Sequence, residues 1–311
     1  MMPALIDWHS HHTPSELVDD FVRLTGKAPS PDPFDSADFD RRRRELDEAG
    51  IDLQLVCQGA GLYADRLPAE HALEITRRSN DVLAERIAPH GGRFLGTIAV
   101  SLKNIAASIQ EIDRMAAKGF RAVLLYPKRD DAFMLDSPEA DPLFAKISAL
   151  KLPIFLHGAT STKDPTLKSL EDEGAGVVYG VVADATVNEC VLRMIAGGVF
   201  DRHPDLKVVI RSGGGGLPLL LKRLSWRHKG RDDRSYSEIL LDHFLIDTAS
   251  VDARTLGFLL ETLGEERIVF GSDYCGGLGL LKKGVAVVEQ QSDPARIKTI
   301  TERNARALLH L

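Results

Sequence analysis

The chain has 311 residues, 44% of them hydrophobic and 27% charged, with a formal net charge of −6. That balance suits a folded soluble protein and speaks against a nucleic-acid partner, which needs a basic face. Three scattered cysteines (Cys57, Cys190 and Cys275) point to a reducing cytoplasm, no run nears the roughly 20 apolar residues of a membrane span, and Asp7 and His9 interrupt the apolar region a signal peptide needs.

The first element is an apolar run, Ala4-Leu5-Ile6, which leads into Asp7-Trp8-His9-Ser10-His11. A strand here delivers His9 and His11 on one face, because side chains alternate along it. The segment from Arg42 to Ala49 reads as a helix stopped at Gly50. Within it, Arg41-Arg42-Arg43-Arg44 followed by Glu45, Asp47 and Glu48 reads as a solvated face rather than a phosphate site. A second strand follows at 51–56. A helix over 68–88 precedes a strand at 93–99, and Lys118-Gly119 marks a helix end before a strand at 120–125. A helix over 138–150 leads to a strand at 152–157, and one over 188–200 to a strand at 206–211. Strands at 244–248 and 267–271 complete a set of about eight.

The apolar runs are nearly continuous, as strands buried on both faces require. Alternation of strand and helix implies a parallel sheet, and eight such units imply an α/β fold closed into a (β/α)8 TIM barrel. An open doubly wound sheet is the alternative, but no G-x-G-x-x-G follows the first strand. The expected organisation is one domain over 1–311, with a glycine-bearing mouth loop or lid at 158–186.

Active sites of such barrels gather at the carboxyl ends of the strands. His9 and His11 end the first strand, His157 the fifth and Asp273 the eighth. Three imidazoles and one carboxylate form a divalent-metal set with room for water; zinc is the first expectation, with manganese and iron suiting the same donors. His228 and His243 rank second. His12 faces away from His11, His71, His90 and His310 lie in helices or at their ends, and His203 lies in a turn before Pro204.

The chain resembles the amidohydrolase-2 branch of the amidohydrolase superfamily, the proteins related to aminocarboxymuconate-semialdehyde decarboxylase, from about Ile6 to Leu308. The carrying motifs are Asp7-Trp8-His9-Ser10-His11 with Pro14, Leu46-Asp47-Glu48-Ala49-Gly50-Ile51-Asp52, Leu152-Pro153-Ile154-Phe155-Leu156-His157 and Phe200-Asp201-Arg202-His203-Pro204-Asp205-Leu206. Val269-Phe270-Gly271-Ser272-Asp273-Tyr274 and Asn304-Ala305-Arg306 follow. The resemblance implies a TIM-barrel metalloenzyme in which His9, His11, His157 and Asp273 hold one divalent ion, usually zinc, and which assembles as a homodimer.

Departures from the family pattern bear on the chemistry. Where the family ends its sixth strand in His-Gly-Gly-Gly, this chain reads Ser212-Gly213-Gly214-Gly215, and a serine hydroxyl cannot accept a proton near neutral pH as imidazole can. Cys275 stands where a proline usually follows the last Asp-Tyr. The family decarboxylase's arginine before the second strand has no match near Asp32, whereas Arg223 falls where that enzyme places a carboxylate-binding arginine contributed across the dimer. With Ser212 in place of histidine, Asp273 is the strongest remaining proton carrier. Decarboxylation of a small carboxylated aromatic or dienoic substrate is the favoured reading. Hydrolysis of an ester, lactone or amide is the alternative, and a metal-binding protein with little turnover is a third.

Overall fold

Eight short strands lie parallel in one sheet, in the order in which the chain makes them. They are β1 (Ile6–Asp7), β2 (Leu53–Gln58), β3 (Phe94–Ala99), β4 (Ala122–Leu125), β5 (Ile154–Leu156), β6 (Val208–Ile210), β7 (Phe244–Asp247) and β8 (Ile268–Val269). The computed structural model describes residues 4–25, 38–59, 62–158, 176–227, 233–276 and 280–311. The sheet closes on itself. The Trp8 N–H donates to the Phe270 carbonyl (2.8 Å), the His11 N–H donates to the Tyr274 carbonyl (2.8 Å), and Ser10 forms a parallel bridge with Tyr274. The expected (β/α)8 barrel is therefore the observed architecture.

Strand alternation sorts the apolar residues into two layers. Leu55, Cys57, Ala122, Leu124, Phe155, Val209 and Val269 belong to one buried cluster, which Ala305, Leu308 and Leu309 of helix Asn304–Leu309 join. Their chain neighbours Val56, Val123, Ile154, Leu156, Val208 and Ile210 belong to the larger cluster shared with the surrounding helices. Both faces of the sheet are thus covered, which accounts for the unbroken apolar runs.

The first strand departs from simple alternation. Its ladder stops after Asp7 and resumes at His11–His12, which pairs with Cys57 and Gln58. Trp8 and His9, although consecutive, both approach Phe155, at ring-centroid distances of 6.4 and 4.8 Å. This one-residue slip has the character of a β-bulge, which turns His9 inward on the residue after Trp8. His12 packs instead against Phe39, outside the ring of histidines.

Two expectations need correction. The segment at 158–186 was expected to be a loop; residues 159–175 lie outside the described residues, but helix Gly176–Ala196 occupies its end and begins well before position 188. Gly180 suggested a loop, yet a helix tolerates an interior glycine at about 1 kcal/mol when packing compensates. Here Ala183, Val187, Cys190, Val191 and Met194 bury one side of the helix. The arginine run is also not uniformly solvated. In helix Phe39–Ala49 the buried positions are Phe39, Arg42 and Leu46, spaced by three and four residues, and Arg42 is only 1% exposed. Helical periodicity puts position 42 on the core stripe whatever its side chain.

The last strand is held from outside by the C-terminal segment. The Phe270 N–H donates to the carbonyl of Ile300 (3.1 Å) in the π-helical turn Thr299–Arg303. The Asn304 side-chain amide donates to the carbonyls of Glu265 and Ile268, both at 2.7 Å. Replacing Asn304 with Leu removes both bonds, leaving the Glu265 carbonyl only the Ile268 N–H. The expected cost is about 1–3 kcal/mol, read as a lower urea midpoint with an unchanged m-value.

Candidate metal centre

Three imidazoles meet at the carboxyl-terminal mouth of the barrel. His9 and His11 arrive on the bulged continuation of β1, and His157 directly follows β5. Ring centroids lie 5.0 Å (His9–His11), 5.2 Å (His9–His157) and 4.9 Å (His11–His157) apart, with the planes 76–90° to one another. All three are at most 4% exposed, and one ring nitrogen from each lies within 4.8 Å of the others. Asp273 reaches the same point from beyond β8, its Oδ1 3.0 Å from His11 Nε2 and 3.3 Å from His9 Nε2. The structure therefore brings together all four residues singled out in the sequence.

Outer contacts decide which nitrogen each ring presents. His9 Nδ1 lies 2.8 Å from Asp247 Oδ2, and His157 Nδ1 lies 2.8 Å from the Gly158 carbonyl. His11 Nδ1 faces the Gln58 carbonyl at 3.4 Å and Cys57 Sγ at 3.3 Å. A neutral imidazole donates at one nitrogen and accepts at the other, so an Nδ1–H engaged outward leaves the Nε2 lone pair directed inward. His9 Nε2 and His11 Nε2 accordingly sit 3.0 Å apart. His157 Nε2 is buried without a hydrogen-bond partner among the described residues. Buried lone pairs facing one another are unfavourable unless something positive lies between them. The donor set of nitrogens with a carboxylate oxygen fits one divalent cation.

The electrostatics differ between the rings: burial alone would lower His11, but Cys57 and the Asp273 carboxylate raise it well above the usual imidazole value, so a cation entering the site would displace a proton there. Burial, with Arg211 and the other two histidines, holds His157 well below the usual imidazole value, so it stays neutral and able to ligate. Burial alone would raise the Asp273 carboxyl, but the imidazoles of His11 and His9 and the Arg211 guanidinium outweigh it and bring it to about 2. Asp273 is therefore anionic at neutral pH. Its backbone is left-handed, φ 55°, and its carboxylate lies against Gly276, where a Cβ would sit 2.0 Å from Oδ1. Glycine at 276 is what leaves room for the carboxylate.

Three contributors lay outside the residues singled out in the sequence. Asp247, the last residue of β7, is fully buried; besides His9, it accepts from the Ser212 N–H (2.7 Å) and the Ala249 N–H (2.9 Å). A carboxylate closing a barrel strand was a legible signal, of the same kind as His157. Asp7 accepts from the His9 N–H (3.2 Å), the Ser272 N–H (2.8 Å) and hydroxyl (2.6 Å), and Gln54 Nε2 (2.7 Å), which joins both ends of the chain behind the histidines. Arg211, just past β6, pairs with Asp184 at 3.0 and 2.9 Å and directs a positive field at His157 and Asp273.

The remaining sequence candidates separate. Ser212 flanks the site with left-handed backbone, φ 53°, and is joined to it through its N–H on Asp247. Arg223 is exposed on helix Leu217–Arg227, away from any described ion pair. His243 is a packing residue, its Nδ1 3.0 Å from the Leu206 carbonyl and its ring on Phe200; His228 lies outside the described residues.

The amidohydrolase family model matches residues 6–311. This chain belongs to the amidohydrolase family. It is 28% identical to the gamma-resorcylate decarboxylase of Rhodococcus jostii over 253 residues, 76% of each chain. It is 26% identical to the 2-amino-3-carboxymuconate-6-semialdehyde decarboxylase of Dictyostelium discoideum over 258 residues, 79% of this chain and 69% of that one. Among solved structures, the dihydroxybenzoic acid decarboxylase of a Polaromonas species, with bound manganese and the inhibitor 2-nitroresorcinol, superposes at a TM-score of 0.84. The two share 25% identity, and the match covers 100% of this chain and 98% of the other. The likeness to metal-dependent barrels agrees with the metal-ready histidine triad.

Replacing Asp247 with Ala removes the acceptor that orients His9 and strands two backbone N–H groups. Divalent-metal affinity is expected to fall about 10–100-fold, measured by titrating the metal-stripped protein with Mn2+.

Proposed function

We propose that this protein is a metal-dependent decarboxylase acting on a small carboxylated aromatic acid. The observation that carries this reading is the convergence of three buried Nε2 atoms and the Asp273 carboxylate at the mouth of an amidohydrolase barrel. His9, His11, His157 and Asp273 would hold the ion; zinc is the expectation from the donor set, and the manganese of the Polaromonas relative supports that ion as the alternative. When bound, a divalent ion there supplies positive charge that holds and polarises substrate oxygens.

The chain's own residues supply the rest. Tyr126 lies beside His157 (5.9 Å between centroids) and against Tyr63 (4.4 Å), an aromatic wall suited to a planar ring. Arg211 adds a cation near the mouth, and Asp184 holds it in place. As the C–C bond breaks and CO2 departs, its electron pair stays on the ring carbon, which must take a proton. Asp273 is the carrier placed to deliver it. Because its carboxyl is ionised at rest, it must acquire that proton from substrate or solvent in each turnover. Fold alone does not select this reaction, so the decarboxylase relatives tip the balance over hydrolysis.

The same proposal takes the chain as one catalytic unit in a reducing cytoplasm: none of its three cysteines forms a disulfide, and no described helix is long and apolar enough to cross a membrane. It also takes the assembly as a homodimer in which Arg223 reaches the partner's substrate. Leu219, one turn before Arg223, is 71% exposed, an apolar side chain on the same stretch of helix surface.

Metal-loaded protein is expected to release CO2 from 2,6-dihydroxybenzoate or a related 2-hydroxybenzoate, and His157→Ala to abolish it. Full metal occupancy with no CO2 from such acids would overturn the proposal. Ser212→His restores an imidazole where the family has one, and histidine tolerates left-handed backbone better than most residues. It is expected to shift the pH–rate profile, measured as kcat/KM against pH; an unmoved profile would put position 212 outside the proton path.

A further inference from the structure

Arg42 is the one member of the arginine run that the fold buries, and the metal reading alone does not explain it. Its guanidinium has no carboxylate within ion-pair distance among the described residues, although an unpaired buried cation is costly. A methionine at this core position would fill the space at lower cost. What the guanidinium touches accounts for its presence. Nη2 donates to the His11 carbonyl; Nη1 donates to Ser10 Oγ (3.3 Å) and Gln54 Oε1 (3.2 Å). Its Cζ lies over the ring of Phe39 (5.0 Å) and over that of Tyr274 (4.9 Å). Gln54 passes the contact on to Asp7, which binds the His9 and Ser272 backbone. Tyr274, next in the chain after Asp273, is gripped again by Glu45 of the same helix, which accepts its hydroxyl.

We propose that Arg42 is a positioning residue for the metal centre, setting the distance between His11 and Asp273 from behind; this rests on the metal reading above. His11 and Asp273 reach the site from opposite sides of the seam where the barrel closes, one on the continuation of β1 and the other beyond β8. Arg42 meets the main chain of the first and the aromatic ring adjoining the second. The guanidinium donates to the His11 side while its Cζ lies over the Tyr274 ring, and a lysine ammonium, a compact point charge, reproduces that combination only in part.

The test is metal affinity in the absence of substrate. Metal-stripped wild type, Arg42→Met, Arg42→Lys and Tyr274→Leu are titrated with Mn2+ and read by electron paramagnetic resonance, with urea midpoints of the stripped forms alongside. Wild type is expected to bind one ion. Arg42→Met is expected to weaken binding about 10–100-fold with a broadened bound-Mn2+ spectrum, and Arg42→Lys to recover part of the loss. Should Arg42→Met fail to fold, Tyr274→Leu, which keeps the Arg42 hydrogen bonds, is expected to weaken binding about tenfold. A folded Arg42→Met, or failing that a folded Tyr274→Leu, with affinity within about threefold of wild type overturns the positioning role while leaving the metal centre intact. Wild type that binds no ion overturns the metal reading and this inference together.

Discussion

Each histidine of the site is committed at its outer nitrogen, and the rest of the site follows from that constraint. Asp247 takes Nδ1 of His9, the Gly158 carbonyl takes that of His157, and Gln58 and Cys57 take that of His11. A neutral imidazole has only two nitrogens, so three outward commitments aim three lone pairs into one small, dry space. The barrel fixes where the rings begin; these contacts fix how they turn.

The ring of ligands is backed by a polar layer that ties together β1, β2 and the segment after β8. Asp7 is its hub, fully buried and saturated by donors from His9, Gln54 and Ser272. Burial raises its pKa against the pull of those hydrogen bonds. Gly271 allows this layer to be tight: a Cβ there would lie 2.9 Å from those of both Asp247 and His9. The charge of the site therefore rests on short covalent spans rather than on long side chains, which suits a centre that must hold its geometry with and without an ion.

Much of the plan was legible because its signals are local. Apolar β-branched runs announced the strands, Gly50 announced a helix end that it makes with φ 71°, and His9, His11, His157 and Asp273 could be read from their positions at strand ends. What escaped depended on packing between distant segments. Asp247 is legible as a strand-terminal carboxylate, but its partner, His9, is set by the fold. Arg42 sat in a run of four arginines whose composition says solvent, while its phase relative to Phe39 and Leu46 says core. Helix Gly176–Ala196 was hidden by its glycines, because the buried side chains that sustain it find their partners on other elements.

The seam between the first and last strands has a consequence for biosynthesis. His9 leaves the ribosome well before its neighbour Asp273, which is 264 residues further on. The closing hydrogen bonds, Trp8 to Phe270 and His11 to Tyr274, join the same two ends. Contacts so remote in sequence form late, since loop closure must precede them. A nascent chain thus carries scattered imidazoles but no completed chelate. Cation capture becomes a property of the finished barrel, and misloading of half-made protein is discouraged by topology alone.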